Sequence, residues 1–283
     1  MILIGDSGST KTDWRVIDNG GKIQQLKSPG LNPNYQSAKE ISEALLESLT
    51  SLRGSKMDFI YFYGSGCDGS KNIQLLTGVF QSVFPHSQVE INHDLLAAAR
   101  ALCNQDPGIA CILGTGSNSC LYDGKAIIDH VPSMGYLVGD EGSGSVLGKK
   151  LVGDYFKRQL PPDLEEKFVQ RYQPEEHDVL NHLYQEPYPN RYLASYSKFL
   201  FDNQNHPYIY ELIYQEFLEF MKRNVMNYQG YREYPVHFLG SIAFYYADIL
   251  RQVGNDHQIT VKNIVESPIA GLTLYHQAKI QKL

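Results

Sequence analysis

Two short apolar runs, each ended by a cluster of small polar residues, constrain the fold of this chain more than any other feature. The first run, at 1–4, is followed by Gly-Asp-Ser-Gly-Ser-Thr-Lys-Thr and then by Asp-Trp-Arg-Val-Ile at 13–17. This pattern predicts a buried strand, a tight turn and a returning strand. The arrangement recurs at 110–122, where Ala-Cys-Ile-Leu precedes Gly-Thr-Gly-Ser-Asn-Ser. Two such hairpins about a hundred residues apart indicate two duplicated subdomains that grip one ligand from opposite sides.

The residue types in both turns suit a phosphate ligand. Glycine lets backbone N–H groups approach a phosphate closely, and serine and threonine hydroxyls add hydrogen-bond donors. Asp6 falls at the end of the first predicted strand, where a carboxylate can hold a hydrated Mg²⁺. For either turn alone, a β-hairpin with a polar turn is the competing interpretation. The two copies together favour a nucleotide site.

Composition limits the function classes. The chain has 283 residues, of which 42% are hydrophobic and 20% charged, and this fits one large domain or two medium ones with sizeable cores. The net charge of −6 and the lack of a basic run argue against a nucleic-acid surface, which needs clustered Lys and Arg. No apolar stretch is long enough to predict a membrane span, and the amino terminus reads as a strand rather than a secretion signal. We therefore expect a cytoplasmic protein without nucleic-acid or membrane partners.

Three segments of the chain carry recognisable motifs: Asp6-Ser7-Gly8-Ser9-Thr10, Gly114-Thr115-Gly116-Ser117 and Gly240-Ser241. In this order they resemble the first phosphate loop, the second phosphate loop and the adenosine motif of the sugar kinase, Hsp70 and actin superfamily. Within the superfamily, the second loop with Asn118 and the segment Gly139-Asp140-Glu141-Gly142-Ser143 resemble the N-acetylglucosamine kinase branch, which is grouped with the BadF/BadG/BcrA/BcrD ATPase family. The order and spacing of the motifs carry the resemblance over nearly the whole chain.

The resemblance implies an α/β fold of two duplicated ribonuclease H-like lobes, the actin-like ATPase fold, with a cleft between them. It places the N-terminal lobe at 1–105 and the C-terminal lobe, with a helical insertion, at 106–269, and it has a terminal helix at 270–283 return to the first lobe. Local patterns predict further elements near the motifs: strands at 88–92, 117–122 and 236–239, a helix over 241–253, and a helix through 83 that Ser70 caps.

The resemblance also implies ATP and Mg²⁺ as cofactors and assigns the residues that contact them. Asp6 is the expected Mg²⁺ ligand. For Lys11, contact with a phosphate and simple exposure to solvent are both open. The nucleotide-binding residues implied are Asp6, Gly8, Ser9, Thr10, Lys11, Gly114, Thr115, Gly116, Ser117, Gly240 and Ser241.

Asp94 is the candidate catalytic base. It follows the strand predicted at 88–92 and precedes a helix predicted at 95–102. An aspartate at that position often caps the helix, so the residues alone leave a cap and a base open. The resemblance matches Asp94 to the strand-end aspartate of the sugar kinases, which would accept the proton of the acceptor hydroxyl during transfer of the γ-phosphate.

The sugar contacts are also implied by the resemblance. Amides and carboxylates recognise hydroxyl groups through paired hydrogen bonds, and a buried partner left unmatched costs about 1–3 kcal/mol. Glu141 is expected to support its loop or a water on Mg²⁺, whereas Asp140 is expected to bind sugar hydroxyls. The implied substrate-binding residues are Asn34, Ser65, Asn118, Asp140 and Glu141.

The function implied is an ATP-dependent sugar kinase that phosphorylates the primary hydroxyl of N-acetylglucosamine or a related amino sugar. Two alternatives remain open: an ATPase activator of a 2-hydroxyacyl-CoA dehydratase-type enzyme, and a non-catalytic sugar-sensing kinase homologue. The activator would carry an iron–sulfur cluster, for which Cys103 and Cys120 are candidate ligands, whereas buried thiols are the competing interpretation. The tyrosine-rich segment 184–234 predicts either an amphipathic helical surface or a homodimer contact.

Overall fold

The chain divides into two compact units in the computed structural model, which describes residues 1–8 and 10–280. The first unit comprises Met1–Asp106, Gly124–Ala126 and the chain from Ser267 onward, and the second comprises Pro107–Asp123 and Ile127–Glu266. The terminal helix predicted at 270–283 is observed over Ile269–Ile280, within the first unit; residues 281–283 lie outside the described residues.

The first unit is built on one sheet with helices on both faces. Strand β1 is antiparallel to β2, which is antiparallel to β3, whereas β1, β4 and β5 run parallel, giving the order β3-β2-β1-β4-β5. The strands are β1 (Ile2–Ser7), β2 (Lys11–Ile17), β3 (Ile23–Pro29), β4 (Phe59–Gly64) and β5 (Gln88–Asn92). The helices are α1 (Ala38–Ser48), with a 3-10 turn after it at Thr50–Leu52, α2 (Ser70–Val83), α3 (Asp94–Cys103) and the terminal helix (Ile269–Ile280).

Both faces of this sheet carry apolar side chains because both are covered. One face packs Leu3, Trp14 and Phe62 against α1 and α2. The other packs Ile4 and Tyr63 against α3 and the terminal helix. This explains the unbroken apolar run at the start of the chain, which reads as a fully buried strand.

The second unit repeats the same sheet topology. Its strands are β6 (Gly108–Leu113), β7 (Ser117–Tyr122), β8 (Ile127–Asp129), β9 (Val236–Leu239) and β10 (Val261–Val265), in the order β10-β9-β6-β7-β8. Strand β7 is antiparallel to both β6 and β8, whereas β6, β9 and β10 run parallel. The predicted α/β fold class with two duplicated lobes is therefore confirmed.

Most helices of the second unit lie between β8 and β9 in the chain. They bury a core rich in aromatic rings, including Phe168, Phe199 and Phe217. The described helices of this unit are α4 (Gly135–Val138), α5 (Gly144–Phe156), α6 (Pro162–Tyr172), α7 (Glu176–Tyr184), α8 (Pro189–Ser195), α9 (Ser197–Asp202), α10 (Pro207–Arg223), α11 (Ser241–Tyr245) and α12 (Ala247–Asp256), with 3-10 turns at Val225–Asn227 and Tyr231–Glu233. Across residues 1–8 and 10–280, no helix combines the length and apolar character that a membrane crossing requires.

Two predicted helix boundaries are wrong. Gly69 occupies the N-cap position of α2, so Ser70 is its first helical residue and not its cap. The helix predicted over 241–253 is instead two helices that meet at Tyr246. The Tyr246 ring is buried in the core and its hydroxyl donates to the backbone oxygen of Ser197 at 2.5 Å, so tertiary packing interrupts the helix there.

Candidate functional site

In the first unit, three parallel strands end at one edge of the sheet. Asp6 lies at the end of β1, Ser65 follows β4, and Asp94 begins α3 shortly after β5. The strands are in register at these ends, with Ser7 opposite Gly64. Parallel sheets commonly bind ligands at the carboxyl ends of their strands. The strand order therefore brings residues that are far apart in sequence to one edge.

Asp6 lies in a cluster of carboxylates. It faces Asp13 in the pairing of β1 with β2. Burial, together with the negative charges of Asp94 and Asp13, raises the pKa of Asp6 to about 7, and Lys11 acts in the opposite direction. Lys11 Nζ lies 3.0 Å from Asp13 Oδ2, so this lysine contacts a carboxylate. The excess of negative charge favours a cation beside Asp6.

The described residues of the first predicted phosphate turn are exposed to solvent. The backbone N–H of Gly8 donates to the Lys11 oxygen at 2.9 Å, and the Thr10 oxygen accepts from the N–H of Gly30 at 3.0 Å. Gly8, Thr10 and Lys11 are exposed. Ser9, which was predicted to bind the nucleotide, lies outside the described residues. The turn thus joins β1 to β2 with accessible backbone and hydroxyl groups.

Asp94 is not the cap of its helix. His93 occupies the N-cap position of α3, and its Nδ1 accepts a hydrogen bond from the N–H of Leu96 at 3.3 Å. Asp94 is the first helical residue, and its Oδ2 accepts from the Ser65 hydroxyl at 3.0 Å. The capping interpretation of Asp94 is therefore wrong. Its carboxylate, partly exposed at the sheet edge, is available for other chemistry.

Asn34 is held beside the turn that follows β4. Its Oδ1 accepts from Asn72 Nδ2 at 2.7 Å, and the same Nδ2 donates to the Gly66 oxygen at 2.9 Å. Gly66 has a φ of +78°, and a Cβ there would lie 2.6 Å from Asn34 Nδ2, so only glycine allows this approach. Asn72 was missed from the sequence because it is one of several polar residues in the first turn of α2.

Ser7 and Thr12 form a second connection that sequence reasoning missed. The Ser7 hydroxyl donates to the backbone oxygen of Leu31 at 3.0 Å and accepts from its N–H at 2.8 Å, and the Thr12 hydroxyl donates to Ser7 at 2.9 Å. These buried bonds fix the loop before Asn34 to the end of β1. The period of two along β1 carries the signal, because Ser7 must point away from the face that Asp6 uses.

In the second unit, the predicted second phosphate loop joins β6 to β7 and is held by the start of α5. The N–H groups of Gly144 and Ser145 donate to the backbone oxygens of Gly114 and Thr115 at 2.8 and 3.1 Å. Ser143 caps α5 by accepting from the N–H of Val146. The first amides of α5 are therefore used by the loop itself.

Asp140 approaches the same loop from another side. Its Oδ1 accepts from the backbone N–H of Ser117 at 3.1 Å. A Cβ on Gly116 would lie 2.8 Å from Asp140 Oδ2. Asp140 is buried and has a left-handed φ of 57°, and burial raises the pKa of its carboxyl, with the neighbouring charge of Glu141 adding to this effect.

The Gly240 turn packs on the start of the same loop. Gly240 has a φ of +115°, and a Cβ there would collide with the backbone oxygen of Leu113. This requirement for glycine comes from contact with β6. Ser241 is exposed at the first turn of α11 and lines a cavity of about 400 Å³ together with Ser197, Lys198, Phe201, Asp202, Ile242, Tyr245 and Tyr246.

Two candidate sugar contacts of the second unit bond to side chains of other segments. Glu141 is buried and pairs with Arg223 at 2.8 Å and with Asn224 at 3.3 Å, at the end of α10. Asn118 lies on β7 and not in the loop, and its Oδ1 is 2.9 Å from His130 Nε2. In contrast, the structure brings Asp140 directly to the predicted phosphate loop.

All four cysteines fall in the described part of the chain, where they are buried and form no disulfide. Cys103 ends α3 in the first unit, and Cys120 lies on β7 in the second. Over the described residues, no group of three or more His, Cys, Asp and Glu side chains is arranged to hold a metal ion.

Comparison with known proteins shows the family of this chain. No protein-family model matches the sequence, and no curated protein does so. Among solved structures, the crystal structure of a protein from Porphyromonas gingivalis, described as a putative N-acetylglucosamine kinase, has 41% identity and a TM-score of 0.92 over 99% of this chain and 100% of its own. The chain has the actin-like ATPase fold. It belongs to the same family as this Porphyromonas gingivalis protein.

Two more distant solved structures share the fold alone. A protein from Chromobacterium violaceum, also described as a putative N-acetylglucosamine kinase, has 17% identity and a TM-score of 0.76, covering 97% of this chain and 98% of its own. A ROK family glucokinase from Streptomyces griseus, solved with glucose and AMPPNP, has 15% identity and a TM-score of 0.54, covering 99% of each chain. At such low sequence identity the fold is retained, but the likeness does not show that the residues of a binding site are the same.

Proposed function

We propose that this chain is an ATP-dependent sugar kinase that transfers the γ-phosphate of ATP to the primary hydroxyl of N-acetylglucosamine or a related amino sugar. The 41% identity to the Porphyromonas gingivalis relative supports the class of substrate. The observation that carries the proposal is the position of the Asp94 carboxylate at the sheet edge, close to Asp6. Because His93 caps the helix, this carboxylate is not used as the cap.

Asp94 acts as the general base. Its carboxylate accepts the proton of the acceptor hydroxyl while the hydroxyl oxygen bonds to the γ-phosphorus, the bond to the bridging oxygen breaks, and ADP leaves with that electron pair. The hydrogen bond from Ser65 fixes the orientation of the carboxylate relative to the acceptor hydroxyl. Ser65 is therefore a positioning residue as well as a group at the sugar site.

Asp6 holds Mg²⁺ in this proposal. The crowding of negative charge around Asp6 fits a divalent cation. Mg²⁺ commonly takes one or two carboxylates and completes its shell with waters and substrate phosphates, so the lack of a multi-residue metal centre in the described residues suits this ion. When bound, Mg²⁺ neutralises charge on the phosphate oxygens.

Each unit offers its own candidate nucleotide contacts. Gly8, Thr10 and Lys11 are accessible in the first loop, and the second loop offers the backbone of Thr115 and Gly116. The cavity beside Ser241 has the size of a small-ligand pocket and carries the partly exposed rings of Phe201 and Tyr245, on which adenine can stack.

The acceptor is recognised by amide and carboxylate groups. Asn34, fixed by Asn72 and Gly66, presents its remaining donor to a sugar hydroxyl. In the second unit, Asp140 is the candidate acceptor for a sugar hydroxyl. Glu141 supports its turn through Arg223 and Asn224, and Asn118 acts together with His130.

The test is release of ADP in a coupled assay across N-acetylglucosamine, glucosamine, N-acetylmannosamine and glucose, with the wild type and Asp94→Asn. We expect ADP release to depend on an amino sugar and to fall about 10²–10⁴-fold in D94N, the range for loss of a general base. Binding of AMPPNP, measured by calorimetry, should be unchanged in D94N because the fold and the phosphate loops remain.

Ser65→Ala is the matched control for orientation. It removes the hydrogen bond to Asp94 Oδ2 but leaves the carboxylate in place, so it should lower kcat by less than D94N does. Equal turnover in D94N and the wild type would remove Asp94 from the mechanism, and ADP release that no sugar increases would reject the kinase assignment.

A further inference from the structure

The second phosphate loop is held in shape by contacts that leave few of its own groups free. The oxygens of Gly114 and Thr115 accept from the first amides of α5, and the Gly114 N–H donates to the Gly116 oxygen at 2.9 Å. The N–H of Ser117 is taken by Asp140. Among the described residues, the N–H groups of Thr115 and Gly116 make no hydrogen bond, so these two remain for a phosphate.

Asp140 is the only side chain among the described residues that bonds to this part of the loop backbone. Its carboxylate is buried, and it fills the space where a Cβ of Gly116 would stand. The backbone around it is closed by a hydrogen bond from the Asp140 N–H to the Ser133 oxygen at 3.1 Å and by one from the Ser143 N–H to the Asp140 oxygen at 3.1 Å. These backbone hydrogen bonds hold Asp140 in place and so fix the position of its carboxylate.

We propose that Asp140 is a positioning residue for phosphate binding: its Oδ1 holds the Ser117 N–H and thereby shapes the loop whose Thr115 and Gly116 amides receive the phosphate. This rests on the proposed function only in requiring that the chain binds a nucleotide. It goes beyond the sugar contact assigned to Asp140, because it predicts an effect on nucleotide binding when no sugar is present.

The experiment measures the Kd of Mg·AMPPNP by calorimetry, without sugar, for two variants that break the contact from opposite sides. Asp140→Ala removes the acceptor, and Gly116→Ala places a methyl group against the carboxylate without changing its chemistry. We expect both to weaken AMPPNP binding about tenfold, the worth of one hydrogen bond to a charged group.

Two further variants serve as controls. Asp140→Asn keeps an oxygen for the Ser117 N–H but loses the charge, so its Kd for AMPPNP should lie between those of the wild type and D140A, while the KM for N-acetylglucosamine should rise. Gly153→Ala, in α5, adds a methyl group where nothing lies within 4 Å and should match the wild type. Circular dichroism of every variant establishes that it is folded.

Each outcome is decisive. Wild-type affinity for AMPPNP in both D140A and G116A would refute the positioning role and leave Asp140 as a sugar contact alone. Equal loss of affinity in D140N and D140A would also contradict it, because the retained oxygen would then not matter. A wild-type protein that fails to bind AMPPNP would instead refute the proposed function itself.

Discussion

At the scale of single residues, the chain places buried polar groups where charge is costly. His237 lies on β9, immediately before the Gly240 turn, and is 3% exposed. Its Nδ1 has no hydrogen-bond partner among the described residues. Burial lowers the pKa of His237 to about 4, and the positive charge of Lys262 acts in the same direction. The folded protein therefore keeps this histidine neutral.

This residue predicts a loss of stability in mild acid. The unfolded chain takes up a proton on His237 near pH 6.5, whereas the folded chain resists it until about pH 4. The free energy of unfolding should therefore be retained above pH 6.5 and fall by about 3 kcal/mol as the pH drops through this window. Urea unfolding at pH 7 and pH 4.5 measures it.

His237→Gln is the comparison, since glutamine does not titrate. The difference in unfolding free energy between the two pH values should be smaller in H237Q than in the wild type. An identical pH dependence in both proteins would show that folding does not lower the pKa of His237.

At the scale of elements, the caps decide what the functional side chains can do. The start of α3 is capped by His93, and this leaves Asp94 in the first turn with its carboxylate unused by the helix. The sequence predicted the strand at 88–92 and the helix after it, but not this division of roles, because aspartate is a preferred N-cap residue by type and histidine is not. Only the local backbone, extended at His93 and helical from Asp94, separates them.

Loss of this cap should affect catalysis as well as stability. His93→Ala removes the acceptor for the Leu96 N–H and should cost about 1 kcal/mol of unfolding free energy. Because the frayed first turn carries Asp94, kcat should fall while the KM for ATP changes little. Steady-state kinetics and urea unfolding measure the two effects.

The rescue is His93→Asn, which restores a capping oxygen. It should recover most of both the stability and the kcat that H93A loses. A kcat in H93A equal to that of the wild type would mean that the cap does not support the position of Asp94.

At the scale of the whole molecule, duplication accounts for the sequence pattern. Each unit has the same five-strand order, and each places a glycine-rich turn between its first two strands. The strands predicted at 88–92, 117–122 and 236–239 match β5, β7 and β9, which are short and bounded by turn residues. The break in the helix predicted over 241–253 could not be foreseen, since it depends on where Tyr246 packs.

The candidate site was likewise predicted only in part from the sequence. Strand ends and glycine turns locate Asp6, Asp94 and the second loop from sequence alone. Contacts that cross between elements were invisible there, such as those from Asp140 to Ser117 and from Asn72 to Asn34. Such pairs arise from tertiary packing of residues with unremarkable types, so neither spacing nor composition marks them.

The most direct test of the account is the chemical identity of the product. The protein is incubated with Mg·ATP and N-acetylglucosamine, and the reaction is followed by phosphorus NMR with proton correlation. The account predicts a new phosphomonoester coupled to the two protons of the sugar's primary carbon, formed with ADP in equal amount and absent with D94N. Inorganic phosphate as the sole product, or a sugar phosphate formed equally well by D94N, would contradict it.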